Sequence, residues 1–422
     1  MGSKITRSVP ALLCAAVLVA AASGCSSAGA GSGGDAGGPV TLTYGIWDPN
    51  QKPAMQQIAN AFEKLHPNIT VDVELTPNAN YWTKLQTEAA SGTAPDVFWM
   101  STTRIGLYAG QGQLLPLSDR SGFDNKPFPA SLNSIYTVGG KQYGMPKDFD
   151  TIGLWYNKKL FDAAGVKYPT AAWTWQDVID ASRKLTSPAK GVWGIASPDW
   201  TQENLYNDIY QAGGSVISAD KKSSGFGDAK TLAGLQYALD FITKYKTSPT
   251  AQQMTDTDPS QLFASGKVAM FTDGDWDTLT YKNAPGLDAD VAPLPAGPAG
   301  RATVINGLAN VIYAKTPHAT AAWQFVKFLG SEQANRIQAA SGAVIPAYQG
   351  LSDGWVKAVP QFHLQTFVDQ LKYAVPYPVS ANSGPWITDS QALLDQIWGG
   401  KLSLDAGAQQ LTSTMNADLA KG

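Results

Sequence analysis

Alternating and helical spacings of apolar residues predict an α/β layer in the first part of the chain. Apolar residues alternate with other residues over 42–46 and 69–75, and 97–100 is a continuous apolar run. These patterns are typical of strands. Between them, apolar residues recur at helical spacing over 55–65 and 81–90. The order strand, helix, strand, helix, strand predicts a parallel sheet covered by helices.

The same two periodicities continue to the end of the chain. They predict strands at 152–156 and 268–271, and helices at 174–185, 232–242, 322–329 and over most of 388–422. Thr174 and Asp177 form a capping-box pattern at the start of one of these helices. We therefore expect an α/β fold, and a folded body of about 380 residues has room for two or three domains.

The first 25 residues have the three zones of a secretory signal. Lys4 and Arg7 are followed by an apolar run, which is shorter than the about 20 residues that a transmembrane helix needs. Small residues then precede Cys25 and resemble the bacterial lipobox, although Ala22 stands where leucine is usual. We expect a signal peptide at 1–24, a lipid on Cys25 and a protein anchored to the outer face of the cell membrane. The alternative is an ordinary signal peptide and a secreted, soluble protein.

The segment after Cys25 has the composition of a linker. Gly, Ala and Ser dominate up to residue 39, and such a composition buries too little apolar surface to fold. We therefore expect 25–39 to be a flexible linker. Cys14 and Cys25 are the cysteines of the sequence, and removal of the signal leaves one, so no structural disulfide is possible.

Composition excludes several classes of function. The formal net charge is -3 and the basic residues are scattered, which argues against nucleic acid as a partner. The three histidines are far apart in the sequence and suggest neither a metal cluster nor a catalytic triad. The run Asp273, Asp275, Asp277 imitates a calcium loop but has Thr278 where glycine is required. We expect no metal and no cofactor.

Aromatic residues stand beside short polar residues where the predicted strands end. In open α/β sheets, ligands bind beyond the carboxyl ends of the strands. Indole rings pack on the C–H face of a sugar, and polar side chains supply the hydrogen bonds that its buried hydroxyls need. The candidate ligand contacts are Trp47, Asp48, Trp99, Ser101, Asp148, Asp150, Trp200, Asn204 and Trp276, together with Trp355 and Trp386, which we place on turns after Gly354 and Pro385.

These candidates have alternatives. Each tryptophan could pack in the core, and Asp148 and Asp150 could instead cap backbone amides. Before residue 301, Arg104 is the only arginine near the ends of the predicted strands. Because arginine usually binds phosphate or carboxylate ligands, a neutral solute is favoured.

Six short segments, in order, resemble extracellular solute-binding proteins of family 1, the maltose-binding type, which are capture subunits of ATP-driven (ABC) importers. The resemblance runs from about Val40 to the C-terminus. The segments are FEKLHP at 62–67, SGTAPDV at 91–97, YGMP at 143–146, LWYNK at 154–158, FASGKVAM at 263–270 and AWQFVKFL at 322–329.

The resemblance implies a fold of the periplasmic-binding-protein type II. It implies lobe 1 at 40–149 with 306–342, and lobe 2 at 150–305 with 343–422. Three crossovers are implied near 149–152, 304–307 and 341–346. It also implies ligand contacts at Trp276, Asp148 and Asp150, and a loop at Asn306 and Gly307 that lines the cleft. The implied protein is a monomer that binds a sugar and delivers it to the permease subunits of the importer.

Other functions stay open at this point. A secreted glycoside hydrolase would also have a tryptophan-rich cleft, with Asp148 and Asp150 or Asp275 and Asp277 as its carboxylate pair. The same scaffold could bind a solute other than a sugar, or serve as an adhesin or signalling receptor. We expect a binding protein without catalytic residues.

Overall fold

The computed structural model describes residues 38–380 and 383–421. The predicted signal peptide, Cys25 and all of the linker except its last two residues lie outside these ranges. None of the helices in the described ranges is both long and apolar enough to cross a membrane.

The strands of the described chain are short and come from many parts of the sequence. In chain order they are β1 Val40–Ile46, β2 Ile69–Leu75, β3 Val97–Ser101, β4 Thr137–Val138, β5 Lys141–Gln142, β6 Met145–Pro146, β7 Asp148–Phe149, β8 Ile152–Asn157, β9 Met270–Gly274, β10 Ala289–Pro293, β11 Thr303–Ile305, β12 Leu308–Ile312, β13 Ile345–Pro346 and β14 Ala374–Pro376.

The helices alternate with the strands in the first half and dominate after residue 315. They are α1 Lys52–Leu65, α2 Asn78–Ser91, α3 Thr102–Gly110, α4 Ala130–Ile135, α5 Lys158–Ala164, α6 Trp175–Leu185, α7 Tyr206–Gln211, α8 Ala229–Thr243, α9 Ala251–Asp256, α10 Pro259–Ala264, α11 Thr278–Asn283, α12 Ala319–Leu329, α13 Glu332–Ser341, α14 Ser352–Ala358, α15 Gln365–Asp369, α16 Ser383–Trp398 and α17 Leu404–Leu419. A π-helical turn, Thr201–Leu205, precedes α7.

Lobe 1 is built on the sheet with strand order β2-β1-β3-β12-β6. The strands β1, β2 and β3 are parallel, as predicted. The helix α1 buries Met55, Ile58 and Phe62 and ends before Pro67, because proline disfavours helix in the residue before it. The strand β12 enters from far along the chain and runs antiparallel to β3 and β6. Lobe 1 is therefore completed only when the chain returns to it after residue 305.

Lobe 2 is built on the sheet with strand order β10-β8-β9, and both of its pairings are antiparallel. The strand predicted at 152–156 is confirmed as β8. The strand predicted at 268–271 begins two residues late, at Met270, because Val268 and Ala269 instead pair with the backbone of Trp193. The capping box of Thr174 and Asp177 is present at the start of α6.

Three segments that connect the lobes lie side by side. The strand β7 pairs antiparallel with β13, and Asp150 forms an antiparallel bridge with Asn306. These contacts join the segments where the resemblance implied the three crossovers. Farther out, α3 of lobe 1 also packs against α16, which packs on α17. A cleft lies between the lobes above the crossovers.

Candidate functional site

The cleft holds a cavity of about 850 Å3, lined by both lobes and by the crossovers. Small-molecule sites in proteins usually measure about 300–1,000 Å3. Lobe 1 contributes the turn 47–51 after β1, and lobe 2 contributes the turns 200–203 and 273–277. The crossovers contribute Asp148–Asp150 and Asn306 from below. The cavity is therefore large enough for an organic solute and is open to contacts from both lobes.

Many of the residues predicted from sequence meet in this cavity, although they are far apart along the chain. Those that line it are Trp47, Asp48, Ser101, Asp148, Asp150, Trp200, Trp276 and Asn306.

Three predicted tryptophans do not reach the cavity. Trp99, Trp355 and Trp386 are all 0% exposed and belong to the apolar core. The indole nitrogen of Trp99 donates to the Tyr44 hydroxyl at 2.7 Å, within lobe 1. Each of these side chains is already enclosed by protein, so none of them is available to a ligand.

The placement of Trp355 and Trp386 on turns is wrong, because both lie in helices. Pro385 is in the first turn of α16, where proline is tolerated because its missing N–H would have no partner. A Cβ atom at Gly354 would lie 3.2 Å from the Cβ atom of Ala339, so Gly354 allows α13 and α14 to pack closely. Glycine and proline here serve helix packing and helix initiation.

Asn204 and Gly307 lie behind the cavity wall. The Asn204 amide is buried and donates to the carbonyl of Pro198 at 2.7 Å and to Ser197 Oγ at 3.1 Å. It holds the turn that carries Trp200. A Cβ atom at Gly307 would collide with the carbonyl oxygen of Asp148, so this glycine lets two crossovers pass closely. Both residues position the site from outside it.

Trp47 and Trp276 present half-buried rings from opposite lobes. Trp47 stands edge-on to Trp99, with ring centroids 5.1 Å apart and an interplanar angle of 86°. It also contacts Trp82, which lines the cavity and which the sequence pattern missed because it lies within helix α2. Trp276 lies in a single helical turn after β9, where its ring packs over Gly274. The cleft thus has aromatic faces on both sides.

The floor of the site contains a buried cation that the sequence analysis did not single out. Lys147 is 3% exposed, and its Nζ donates to Asp148 Oδ2 at 2.7 Å. Nζ also donates to Gln51 Oε1 and lies 4.4 Å from the centroid of the Trp99 ring. The other Asp148 oxygen accepts from the backbone amide of Leu308 at 2.7 Å. Asp148 is therefore fixed between lobe 1 and a crossover.

A chain of side-chain hydrogen bonds crosses the base of the cleft. Gln202 Nε2 donates to Asp150 Oδ1 at 2.7 Å, and Gln202 Oε1 accepts from Asn306 Nδ2 at 2.8 Å. The Thr102 hydroxyl donates to Asn306 Oδ1. This chain links α3 of lobe 1 to the π-helical turn of lobe 2 through two crossovers. It places the amide groups of Gln202 and Asn306 on the cavity surface.

The cleft is strongly acidic. Eight aspartate or glutamate side chains line it, and the lining includes no lysine, arginine or histidine. Burial, followed by repulsion from neighbouring carboxylates, raises the pKa of Asp150 and of Asp275 well above the usual range. Burial also raises the pKa of Asp48, and it raises the pKa of Glu203 to about 7. Within the described residues, no group of three or more potential ligands is arranged to hold a metal ion.

Comparison with known proteins identifies the family. The sequence model of the bacterial extracellular solute-binding proteins matches residues 48–336. The chain belongs to this family, as the short segments suggested. A maltooligosaccharide ABC transporter solute-binding lipoprotein of Streptococcus pneumoniae is 25% identical over 98% of this chain and 97% of its own length. A putative binding protein of Brucella abortus is 27% identical over 69% of this chain and 72% of its own length.

A solved structure agrees with the fold. An ABC substrate-binding protein of Listeria monocytogenes, in complex with cycloalternan, superposes with a TM-score of 0.85 at 27% identity. The alignment covers 90% of this chain and 99% of that chain. The prediction of two α/β lobes joined by crossovers, of the periplasmic-binding-protein type II, is confirmed. The family consists of binding proteins that work outside the cytoplasm.

Proposed function

We propose that this protein captures a saccharide in the cleft between its lobes and delivers it to the permease of an ABC importer. The observation that carries the proposal is the pairing of aromatic faces with hydrogen-bonding side chains in one cavity. Trp47, Trp82, Trp200 and Trp276 line it together with amides and carboxylates. A sugar ring needs both kinds of contact. The similarity to a maltooligosaccharide-binding lipoprotein supports the same ligand class.

The mechanism is binding coupled to closure of the lobes. Lobe 1 comprises 40–149 with 306–342, and lobe 2 comprises 150–305 with 343–422. A solute that contacts Trp47 on one lobe and Trp276 on the other makes both contacts only when the cleft is closed. Binding therefore shifts the population toward the closed form. The paired crossovers, where Asp150 bridges Asn306, absorb the change in backbone angles.

The closed form presents one fixed surface to the permease subunits. A lipid on Cys25 holds the protein, as a monomer, at the outer face of the membrane. The Gly-, Ala- and Ser-rich linker between Cys25 and Val40 leaves the lobes free to turn toward the permease. Tethering raises the local concentration of binding protein near its membrane partner.

Catalysis is not part of the proposed function. The acidic residues act here as acceptors for solute hydroxyls and as repulsive groups against anions. A glycoside hydrolase would need two carboxylates set on either side of a glycosidic bond. The direct way to distinguish the two functions is to ask whether the bound saccharide leaves intact.

The test is a thermal-shift screen of mono- and oligosaccharides, followed by calorimetry on each ligand that raises the melting temperature. A ligand that binds only the native state stabilises it, so at least one saccharide is expected to raise the melting temperature. Each binding saccharide is then incubated at length with the protein and analysed by chromatography. Release of products at catalytic rates would replace the proposal with a hydrolase, and no shift with any saccharide would replace it with a non-sugar solute.

Transport is tested separately in cells. Deletion of the gene should abolish uptake of the bound saccharide, and the gene in trans should restore it. Uptake that continues unchanged without the gene would point to an adhesin or signalling receptor on the same scaffold.

A further inference from the structure

The cleft contains more carboxyl groups than the protein pairs with cations. Of the eight that line the cavity, Asp148 is the one that forms an ion pair within the described part of the chain, and its partner is Lys147. The ammonium of Lys147 also contacts Gln51 and the face of Trp99. This ammonium is therefore hydrogen-bonded at the floor of the site, and within the described residues the other seven carboxyl groups form no direct ion pair.

Asp275 has an unsatisfied oxygen. Its side chain lines the cavity and is 0% exposed to solvent. Oδ2 accepts a hydrogen bond of 3.2 Å from the backbone amide of Ile345, whereas Oδ1 has no hydrogen-bond partner. A buried polar group without a partner costs about 1–3 kcal/mol, and more when it is charged. Oδ1 has almost no accessible surface, so a donor on the bound solute would remove this cost once the Asp275 side chain turns toward the cavity.

Asp275 is not isolated from the other acids. Repulsion among Asp148, Asp150 and Asp275 adds to burial in raising the pKa of the last two carboxyl groups. Asp150 is already an acceptor for Gln202 Nε2 at 2.7 Å. A positive charge placed between Asp150 and Asp275 would offset this repulsion in a region of low dielectric, where charge pairs interact strongly.

A metal ion does not fit this role. No group of three or more potential ligands in residues 38–380 and 383–421 is arranged to hold one. An ammonium group does fit, because it offers three hydrogen-bond donors and does not need a closed ligand shell. The indole of Trp276, next to Asp275 in the chain, also lines the cavity, and indole faces attract cations.

We propose that the preferred solute of this cleft is a saccharide that carries a protonated amino group, held beside Asp150 and Asp275. The inference rests on the proposed function and narrows its ligand class. It also replaces the neutral solute that the sequence analysis favoured with a cationic one. The lack of arginine in the lining argues against an anionic solute. The unpaired carboxyl groups favour a cationic sugar over a neutral one.

The test compares saccharides that carry basic amino groups with neutral saccharides of the same length. In the β-linked series, the probes are the glucosamine trimer, the N-acetylglucosamine trimer and cellotriose, of which the first alone is cationic. In the α-linked series, acarbose, which contains a basic amine, is compared with maltotetraose. Dissociation constants are measured by calorimetry at about 20 mM and about 500 mM salt, because screening weakens charge pairs.

The expected result is at least about tenfold tighter binding of the amine-bearing member in at least one series. This preference should shrink at high salt and should largely disappear in Asp275→Asn. Asp150→Asn serves as a second variant if Asp275→Asn does not fold. Asp256→Asn is the matched control, because Asp256 is exposed on α9 outside the cavity, and it should keep the preference.

The outcomes separate the two proposals. Neutral saccharides that bind as tightly as their amine-bearing partners in both series would overturn the inference and leave the saccharide-binding function intact. A preference for the amine that survives in both cavity variants would also overturn it. Binding of no saccharide in either series, or in the wider screen, would overturn the proposed function itself.

Discussion

Asn50 in lobe 1 donates a hydrogen bond to Thr280 in lobe 2, with 3.0 Å between Nδ2 and Oγ1. Asn50 follows β1 and lines the cavity, and Thr280 lies in α11, which follows β9. The bond therefore spans the cleft without passing through a crossover. It joins the lobes directly, so we expect it to break when the lobes move apart.

Replacement of Asn50 by alanine should weaken ligand binding. The variant loses a hydrogen bond that joins the two lobes across the cleft, and such a bond contributes about 0.5–1.5 kcal/mol. We expect the dissociation constant of the bound saccharide to rise about 2- to 10-fold. Calorimetry measures this change, and small-angle scattering measures whether the ligand-free protein becomes more open.

Asn60→Ala is the matched control for this variant. Asn60 is exposed on α1 of the same lobe, away from the cavity, where it accepts a hydrogen bond from Gln56. It should leave affinity unchanged. Equal affinities for Asn50→Ala and wild type would mean that the bond between Asn50 and Thr280 does not hold the lobes together.

Replacement of Trp276 by alanine should weaken sugar binding by about 1–3 kcal/mol, the usual loss for a buried aromatic contact. Trp276 is half-buried in the ligand-free cleft, so the substitution removes a ligand surface more than a piece of core. The control is Trp175→Ala, since Trp175 stacks on Tyr237 at 3.9 Å outside the cavity. Unchanged affinity of Trp276→Ala by calorimetry would remove this residue from the site.

Replacement of Trp355 by alanine should give the opposite pattern. Trp355 is 0% exposed, and its indole nitrogen donates to the carbonyl oxygen of Gly342 at 3.1 Å. Removal of a buried tryptophan leaves a cavity and costs about 3–5 kcal/mol of unfolding free energy. Urea unfolding should detect this loss, whereas the affinity of the folded variant should stay near that of wild type. Lost affinity with intact stability would return Trp355 to the ligand site.

The stability of the ligand-free protein should fall as the pH rises from about 4.5 to about 7. Burial raises the pKa of Glu203 to about 7, above its ordinary value of 4.5. Between these values the native protein keeps a proton that the unfolded chain has lost, so rising pH favours unfolding. The fall, followed by melting temperature against pH, should be smaller in Glu203→Gln.

Glu332→Gln is the control for the pH series, because Glu332 is exposed on α13, where it pairs with Arg336. It should keep the wild-type slope between these pH values. A Glu203→Gln variant with the wild-type slope would show that another group causes the pH dependence.

Replacement of Cys25 by serine should release the protein into the medium and leave its affinity unchanged. The lipobox pattern ends on this residue, which lies outside the described residues. Cell fractionation and calorimetry measure the two effects. Cys14→Ser should stay at the membrane, because Cys14 lies within the predicted signal peptide. If the Cys25→Ser variant stays in the membrane fraction, the anchor is something other than this lipid.

Much of the fold follows from local patterns. The strands β1, β2, β3 and β8 lie where alternation or an apolar run predicted them. Such patterns predict strands well because they reflect which side chains of the strand are buried. The antiparallel pairing of β8 with β9 and β10 does not follow, because alternation carries no strand direction. The late entry of β12 into the sheet of lobe 1 also depends on contacts distant in sequence.

The sequence by itself determined the family, the order of the elements and the residue types of the site. Asp48, Asp150 and Trp276 could be selected because aromatic and acidic residues follow predicted strands. Only the tertiary structure decided which tryptophans can contact a ligand in the cavity. Trp99 and Trp276 look alike in sequence, but Tyr44 and Lys147 enclose Trp99, whereas Trp276 lines the cavity. The physical reason is that burial depends on partners from distant segments, which a local pattern does not contain.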